Sequence, residues 1–143
     1  MEIRFAQCDR EILSCWEVVK ELRPHLRQEQ YLQQVRDMME EGFRMIYIPA
    51  PNVSPEKAAA FAGYRNSHKL FNGKTIYIDD LSTLPEYRGR GYGGQLLDFI
   101  FQLARESGKT AVTLDSGYQR NDAHRLYLSK GFTLYAHHFS WKV

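Results

Sequence analysis

The chain has little cysteine, little imbalance of charge and no long apolar run, and each shortage removes a class of protein. Cys8 and Cys15 are the only cysteines, with no histidine or second cysteine at ligand spacing, so neither a disulfide scaffold nor a metal site is expected. Both are expected to be small buried side chains. Nineteen basic side chains face seventeen acidic ones, a net charge of +2 without a block of either sign. Binding to a nucleic-acid backbone wants a basic stripe, so nucleic acid is not an expected partner. No apolar stretch reaches membrane-spanning length, and Met1-Glu2-Ile3-Arg4-Phe5 has neither the basic start nor the apolar run of a secretory leader. The expectation is a cytoplasmic protein with no membrane partner. Repeats, low-complexity tracts and linkers are also lacking, so residues 1–143 read as a single domain.

What the chain does have is glycine gathered in one place. Arg88-Gly89-Arg90-Gly91-Tyr92-Gly93-Gly94 lies between an alternating apolar run, Ile76, Ile78, Leu81 and Leu84, and a helical one from Gln95 to Glu106. Glycines let a backbone turn sharply and let a ligand approach its amides. A helix start adds unpaired N–H groups and the positive end of a dipole, which together bind phosphate. Read as Gly89-x-Gly91-x-x-Gly94, with Asp115 about twenty residues on, the stretch fits a dinucleotide fingerprint. Against this, Pro85 to Arg88 separate the loop from its strand, and Ser116 to Val143 are too few residues for the rest of a doubly wound sheet.

Along the chain, Ile3 to Cys8 alternates as a first strand, and Asp9 is placed to cap a helix carrying Ile12, Leu13, Trp16, Val19 and Leu22 inward. A second helix spans about Gln28 to Glu41, with Tyr31 in its apolar face and Gly42 closing it. Strands follow at Phe43 to Ile48 and Ala58 to Tyr64, then a polar turn from Asn66 to Gly73 and a strand from Lys74 to Leu84. After the loop helix come a short strand, Ala111 to Leu114, a helix from about Asn121 to Lys130, and an alternating final strand from Phe132 to Lys142. The spacing predicts an α/β fold with a mixed sheet of about six strands and about four helices.

Two features, Arg88-x-x-Gly91-x-Gly93 and the run Ala123-His124-Arg125-Leu126-Tyr127-Leu128-Ser129-Lys130-Gly131-Phe132, set in this order of elements, resemble the GNAT superfamily of N-acetyltransferases over nearly the whole chain. The resemblance implies the acyl-CoA N-acyltransferase fold, acetyl-CoA as acetyl donor and no metal. It implies that Arg88, Gly89, Arg90, Gly91, Tyr92, Gly93 and Gly94 hold the CoA diphosphate, and that pantetheine pairs with the strand edge at Leu81, Ser82 and Thr83, a form of strand addition. Tyr127 matches the family tyrosine that serves the leaving thiolate. A backbone N–H near Leu81 or Ser82 would face the oxyanion.

A base for the amine is less determined. Asp79 and Asp80 adjoin on the strand before the loop and are expected on opposite faces. Asp79 aligns better with the family position for a base. His68, His124, His137 and His138 could each serve in principle, and each is expected instead to be a surface or hydrogen-bonded histidine. One departure is Arg120 where many relatives carry an asparagine, with Asn121 one residue later as a helix cap and a candidate cofactor contact. Another is a single strand after Phe132 where many have two, leaving the sheet smaller or completed by a second copy as a homodimer. The acceptor is an amine of a small molecule or a protein, with Arg23, His25, Arg27, Tyr31, Ser116 and Tyr118 as candidate lining. Two other classes stand beside this reading: a CoA-binding regulatory or sensing module without turnover, and a dinucleotide-binding oxidoreductase.

Overall fold

The computed structural model describes residues 2–143. Five strands form one mixed sheet in the order β1-β2-β3-β4-β5: β1 Arg4–Phe5, β2 Arg44–Pro49, β3 Ala58–Lys69, β4 Gly73–Thr83 and β5 Ala111–Leu114. The helices are α1 Asp9–Ser14, α2 Trp16–Leu22, α3 Gln28–Glu40, α4 Tyr92–Glu106 and α5 Asn121–Ser129, with a 3-10 turn at Pro85–Tyr87. The chain divides into two compact units, the first ending at Thr113 and the second running from Leu114 to Val143.

In the first unit β1 to β4 are an antiparallel meander. β2 is buried from Met45 to Ile48 because both of its faces are covered. Alternation turns Met45 and Tyr47 into a cluster with Ile12, Val18, Val19, Tyr31 and Val35 of α1 to α3. Ile46 and Ile48 then look to the other face, where α4 buries Leu96, Leu97 and Ile100. Each such side chain contributes on the order of 1.5–3 kcal/mol. Tyr31 is 2% exposed, and its hydroxyl donates to the carbonyl of Ile12 at 2.7 Å. It is a core residue, which removes it from the expected acceptor lining.

Several expectations are corrected. The first helix is broken at Cys15, where the Ser14 hydroxyl donates back to the Glu11 carbonyl at 2.6 Å and competes with the helical ladder. Its N-cap is Cys8 rather than Asp9, and Glu11 closes a capping box by accepting from the Cys8 amide at 3.2 Å. The first strand is confined to Arg4–Phe5. The polar stretch from Asn66 is strand as far as Lys69, since Asn66, Ser67, His68 and Lys69 continue the ladder with β4 and only Leu70 to Asn72 turn. Phe132 to Lys142 forms no strand: alternation marks two faces, but a strand also needs a ladder partner, and Leu134, Tyr135, Phe139 and Trp141 are exposed. Among the described residues there are five strands and five helices, in keeping with the expected mixed α/β fold of about six strands and about four helices.

Candidate active site

The glycine loop has the geometry its composition calls for. Gly89 and Gly91 have φ of 77° and 82°, in the left-handed region where a side chain is strained. A Cβ on either would meet nothing within 4 Å, so their role is conformation and an open approach rather than packing. Gly91 is the N-cap of α4, and the first helical bond runs from the Gln95 amide to the Gly91 carbonyl at 3.0 Å. The amides of Tyr92, Gly93 and Gly94 therefore lack helical acceptors. No acidic residue sits in this first turn, and no side chain caps it. Tyr92 is buried and fixes the turn to the body of the protein. Arg90 lies over the Tyr87 ring at 5.2 Å, whereas Arg88 donates from Nε to the Thr83 carbonyl at 3.2 Å and from Nη2 to Glu21 at 3.4 Å.

β4 enters the loop with one edge free of β3. The Leu84 amide donates to the Ala59 carbonyl at 2.8 Å, toward β3. Backbone groups of successive residues alternate sides, and the register from Asp80 to Thr83 is regular, so Leu81 and Thr83 direct their N–H and C=O away from β3 and Ser82 toward it. β5 starts beside the other end of β4, where the Thr110 amide donates to the Lys74 carbonyl at 2.9 Å. Its four residues cannot accompany an eleven-residue strand to Thr83.

Between those ends β4 carries a bulge. Gly63 pairs with Asp80 and Tyr64 with Ile78, so Asp79 is an extra residue. Strict alternation is lost there, and the Asp79 charge acts on the Asp80 carboxyl. Arg65 of β3 grips Asp79 with Nε at 3.0 Å and Nη2 at 2.8 Å. Arg23, at the C-cap of α2, donates from Nε to Asp80 at 2.9 Å and from Nη2 to the Asp79 carbonyl at 3.0 Å. Burial pushes the Asp80 carboxyl above the usual aspartate value, Arg23 opposes that shift, and the Asp79 charge adds to it. Gly63 makes room for this group: a Cβ there would lie 2.5 Å from Phe43 Cζ and 3.1 Å from Asp80 Oδ2. An open depression of about 550 Å³ lies beside α2, with Trp16, Glu17, Lys20, Glu21, Pro24 and Gln28 at its wall.

In the second unit, α5 ends in a Schellman motif that explains the spacing of tyrosine, glycine and phenylalanine. Gly131 adopts φ 97°, its amide donates to the Leu128 carbonyl at 3.1 Å, and the Phe132 amide returns to the Tyr127 carbonyl at 3.0 Å. The Phe132 ring then meets the Tyr127 ring edge-on at 5.7 Å. Burial raises the Tyr127 phenol above its ordinary value, with Arg120 opposing. Arg120 is the N-cap, and Asn121 is an exposed first helical residue rather than the cap. His124 and Ser116 are hydrogen-bonded at 3.1 Å, while His138 pairs with Asp115 at 3.2 Å and Tyr118 is exposed.

The model of the "Acetyltransferase (GNAT) family" matches residues 7–132. The chain belongs to that family. The GNAT domain here is 35% identical over 123 residues to the "Uncharacterized N-acetyltransferase YhdJ" of Bacillus subtilis, covering 85% of this chain and 84% of the relative. Its fold is similar to glucosamine-6-phosphate N-acetyltransferase from Arabidopsis thaliana, with a TM-score of 0.79 and 18% identity over 99% of this chain and 97% of that one. It is likewise similar to the aminoglycoside N-acetyltransferase AAC(6')-Iy in complex with CoA, with a TM-score of 0.80 and 17% identity over 99% and 95% of the two chains. This GNAT protein is accordingly an acyltransferase, an N-acetyltransferase acting on amines, of a family that uses acetyl-CoA.

Arg65 and Phe43 escaped the sequence reading of this GNAT site. Arg65 finds Asp79 through the register of two strands, and nothing in the order of residues marks a bulge. Arg23 is expected from the sequence as acceptor lining, not as the partner of Asp80. The one local signal was Gly63, a glycine in a strand, which often marks a bulge or a close approach.

Proposed function

We propose that this chain binds acetyl-CoA through Arg88 to Gly94 and the β4 edge, and transfers the acetyl group directly to a primary amine of a small molecule or protein. The observation that carries the reading is the cluster of unpaired amides at Tyr92, Gly93 and Gly94, behind two left-handed glycines and with no carboxylate in the turn. These are the donors that a diphosphate needs. That the AAC(6')-Iy neighbour is in complex with CoA supports the same ligand here. When bound, acetyl-CoA supplies the thioester.

The chain's own groups then have separate tasks. Leu81, whose N–H points from the free edge, is the better oxyanion donor of the pair Leu81 and Ser82, because the Ser82 amide is turned toward β3. Leu81 and Thr83 offer the backbone partners for pantetheine. Asp79 and Asp80 both remain within the amine-binding region, but their surroundings favour different roles. The two-point grip of Arg65 suits Asp79 to holding the bulge, whereas the partly desolvated Asp80 carboxylate is the better acceptor for the proton that the ammonium must lose to become the attacking amine.

Tyr127, with its proton held more firmly than an ordinary phenol, suits hydrogen bonding to the leaving sulfur. Asn121, exposed at the start of α5, is available to a cofactor without a capping duty. Burial pushes the Cys15 thiol up to about 12, so it stays protonated and is not a covalent carrier in this scheme; Cys8, expected to be buried like Cys15, is exposed.

The test is thermal stabilisation by acetyl-CoA, CoA and NAD at matched concentrations, followed by thiol release with a panel of amines. Stabilisation by both CoA forms with amine-dependent thiol release is expected. Stabilisation by NAD alone would overturn the reading.

A further inference from the structure

The side chain of Arg88 does not reach toward the open glycine loop it begins. Its Nε donates to the Thr83 carbonyl at 3.2 Å and its Nη2 lies 3.4 Å from Glu21 of α2. The Thr83 carbonyl is one of the groups that the free edge of β4 offers, as the direction of the Leu84 amide requires. Arg88 therefore fills an acceptor that a strand-adding ligand would use.

We propose that Arg88 is a placeholder on the β4 edge, kept there by Glu21, and that a ligand carrying a diphosphate draws it off both partners as its amide-bearing arm takes the edge. The proposal rests on the reading of the loop as the CoA site. The chemistry of the exchange is balanced. Arg88 trades one carboxylate and one carbonyl for a diphosphate, a doubly charged acceptor, and the Thr83 carbonyl trades a guanidinium N–H for an amide N–H. Both side chains are free enough to exchange, being 58% and 39% exposed for Arg88 and Glu21. Glu21 is thus a positioning residue: it acts on the ligand only through Arg88.

The diphosphate is what separates this device from simple electrostatics. Pantetheine has the amide arm but no diphosphate, so it must displace Arg88 unaided. Inhibition by CoA and by pantetheine is to be measured against acetyl-CoA in the thiol-release assay for wild type, Arg88→Ala and Glu21→Gln, with melting curves to verify folding. Arg88→Ala should weaken CoA about tenfold or more and tighten pantetheine about threefold. Glu21→Gln should tighten both, by about two- to fivefold. Pantetheine inhibition that is unchanged, weakened or absent across the three proteins overturns the placeholder. If wild type is not inhibited by CoA, the loop reading itself has failed and the placeholder fails with it.

Discussion

The two halves of β4 share a backbone and differ in almost everything else. From Gly73 to Ile78 the strand lies beside β3 in regular register, and Thr75, Ile76 and Ile78 are buried. From Asp79 to Thr83 every residue is half-buried, the register has slipped by one, and arginines from α2, β3 and the glycine loop hold the strand. Apolar burial is non-directional and tolerates no open edge, so the first half supplies stability. Hydrogen bonds to arginine can be exchanged, and the second half is the part proposed above to meet the substrates. One bulge residue, Asp79, marks the change.

The sharpest way to test this division is Asp80→Asn, expected to reduce acetyl transfer by about 10²- to 10⁴-fold while circular dichroism shows a folded protein. Activity within a few-fold of wild type would remove Asp80 as the base. Ile76→Ala should do the reverse, lowering stability in urea by about 2–5 kcal/mol with CoA affinity retained in the folded fraction. Gly63→Ala touches both halves at their boundary: Phe43 must give way and Asp80 must shift, for about 1–3 kcal/mol of stability and a loss of turnover. Unchanged kinetics in that variant would mean the bulge is not part of the site. Asp79→Asn is expected to cost less, about 1–2 kcal/mol, reduced by solvent screening, and to affect turnover less than Asp80→Asn does.

A pH profile gives the smallest and most specific signal. The folded protein holds Asp80 above its ordinary value of 3.8. The stability this group contributes is therefore complete below that value and is lost as pH rises through the raised folded pKa. The base form appears only above the same pKa, so the acid limb of kcat/KM should lie at higher pH than an ordinary aspartate gives. Arg23 lowers the Asp80 pKa, so Arg23→Gln should move that limb further up. A limb that moves down, or not at all, would separate Asp80 from the rate.

Much of this was legible before folding because the governing physics is local. Four glycines before an apolar helical stripe required a turn with open amides, and α4 begins there, three residues earlier than its apolar pattern alone indicates. Tyr127, Gly131 and Phe132 lie within one helix end, and the Schellman geometry that joins them needs only that spacing. The tail from Phe132 shows the limit: its alternation is real, yet pairing depends on a neighbour that alternation does not name. The same limit applied to the polar run from Asn66 to Lys69, which became strand because Thr75 and Lys74 stood opposite Ser67 and His68.

The sequence by itself determined the family, the order of elements from β2 to α5, the glycine turn at the start of α4 and the tyrosine near the end of α5. Those depend on backbone freedom and helical periods that act over a few residues. Only the tertiary structure decided which of two adjacent aspartates is gripped by Arg65 and which is desolvated beside Arg23, and which backbone groups of Leu81, Ser82 and Thr83 face outward. Such properties depend on register and on charges brought together across 14 to 57 residues of chain, a distance over which residue order carries no geometry until the sheet has formed.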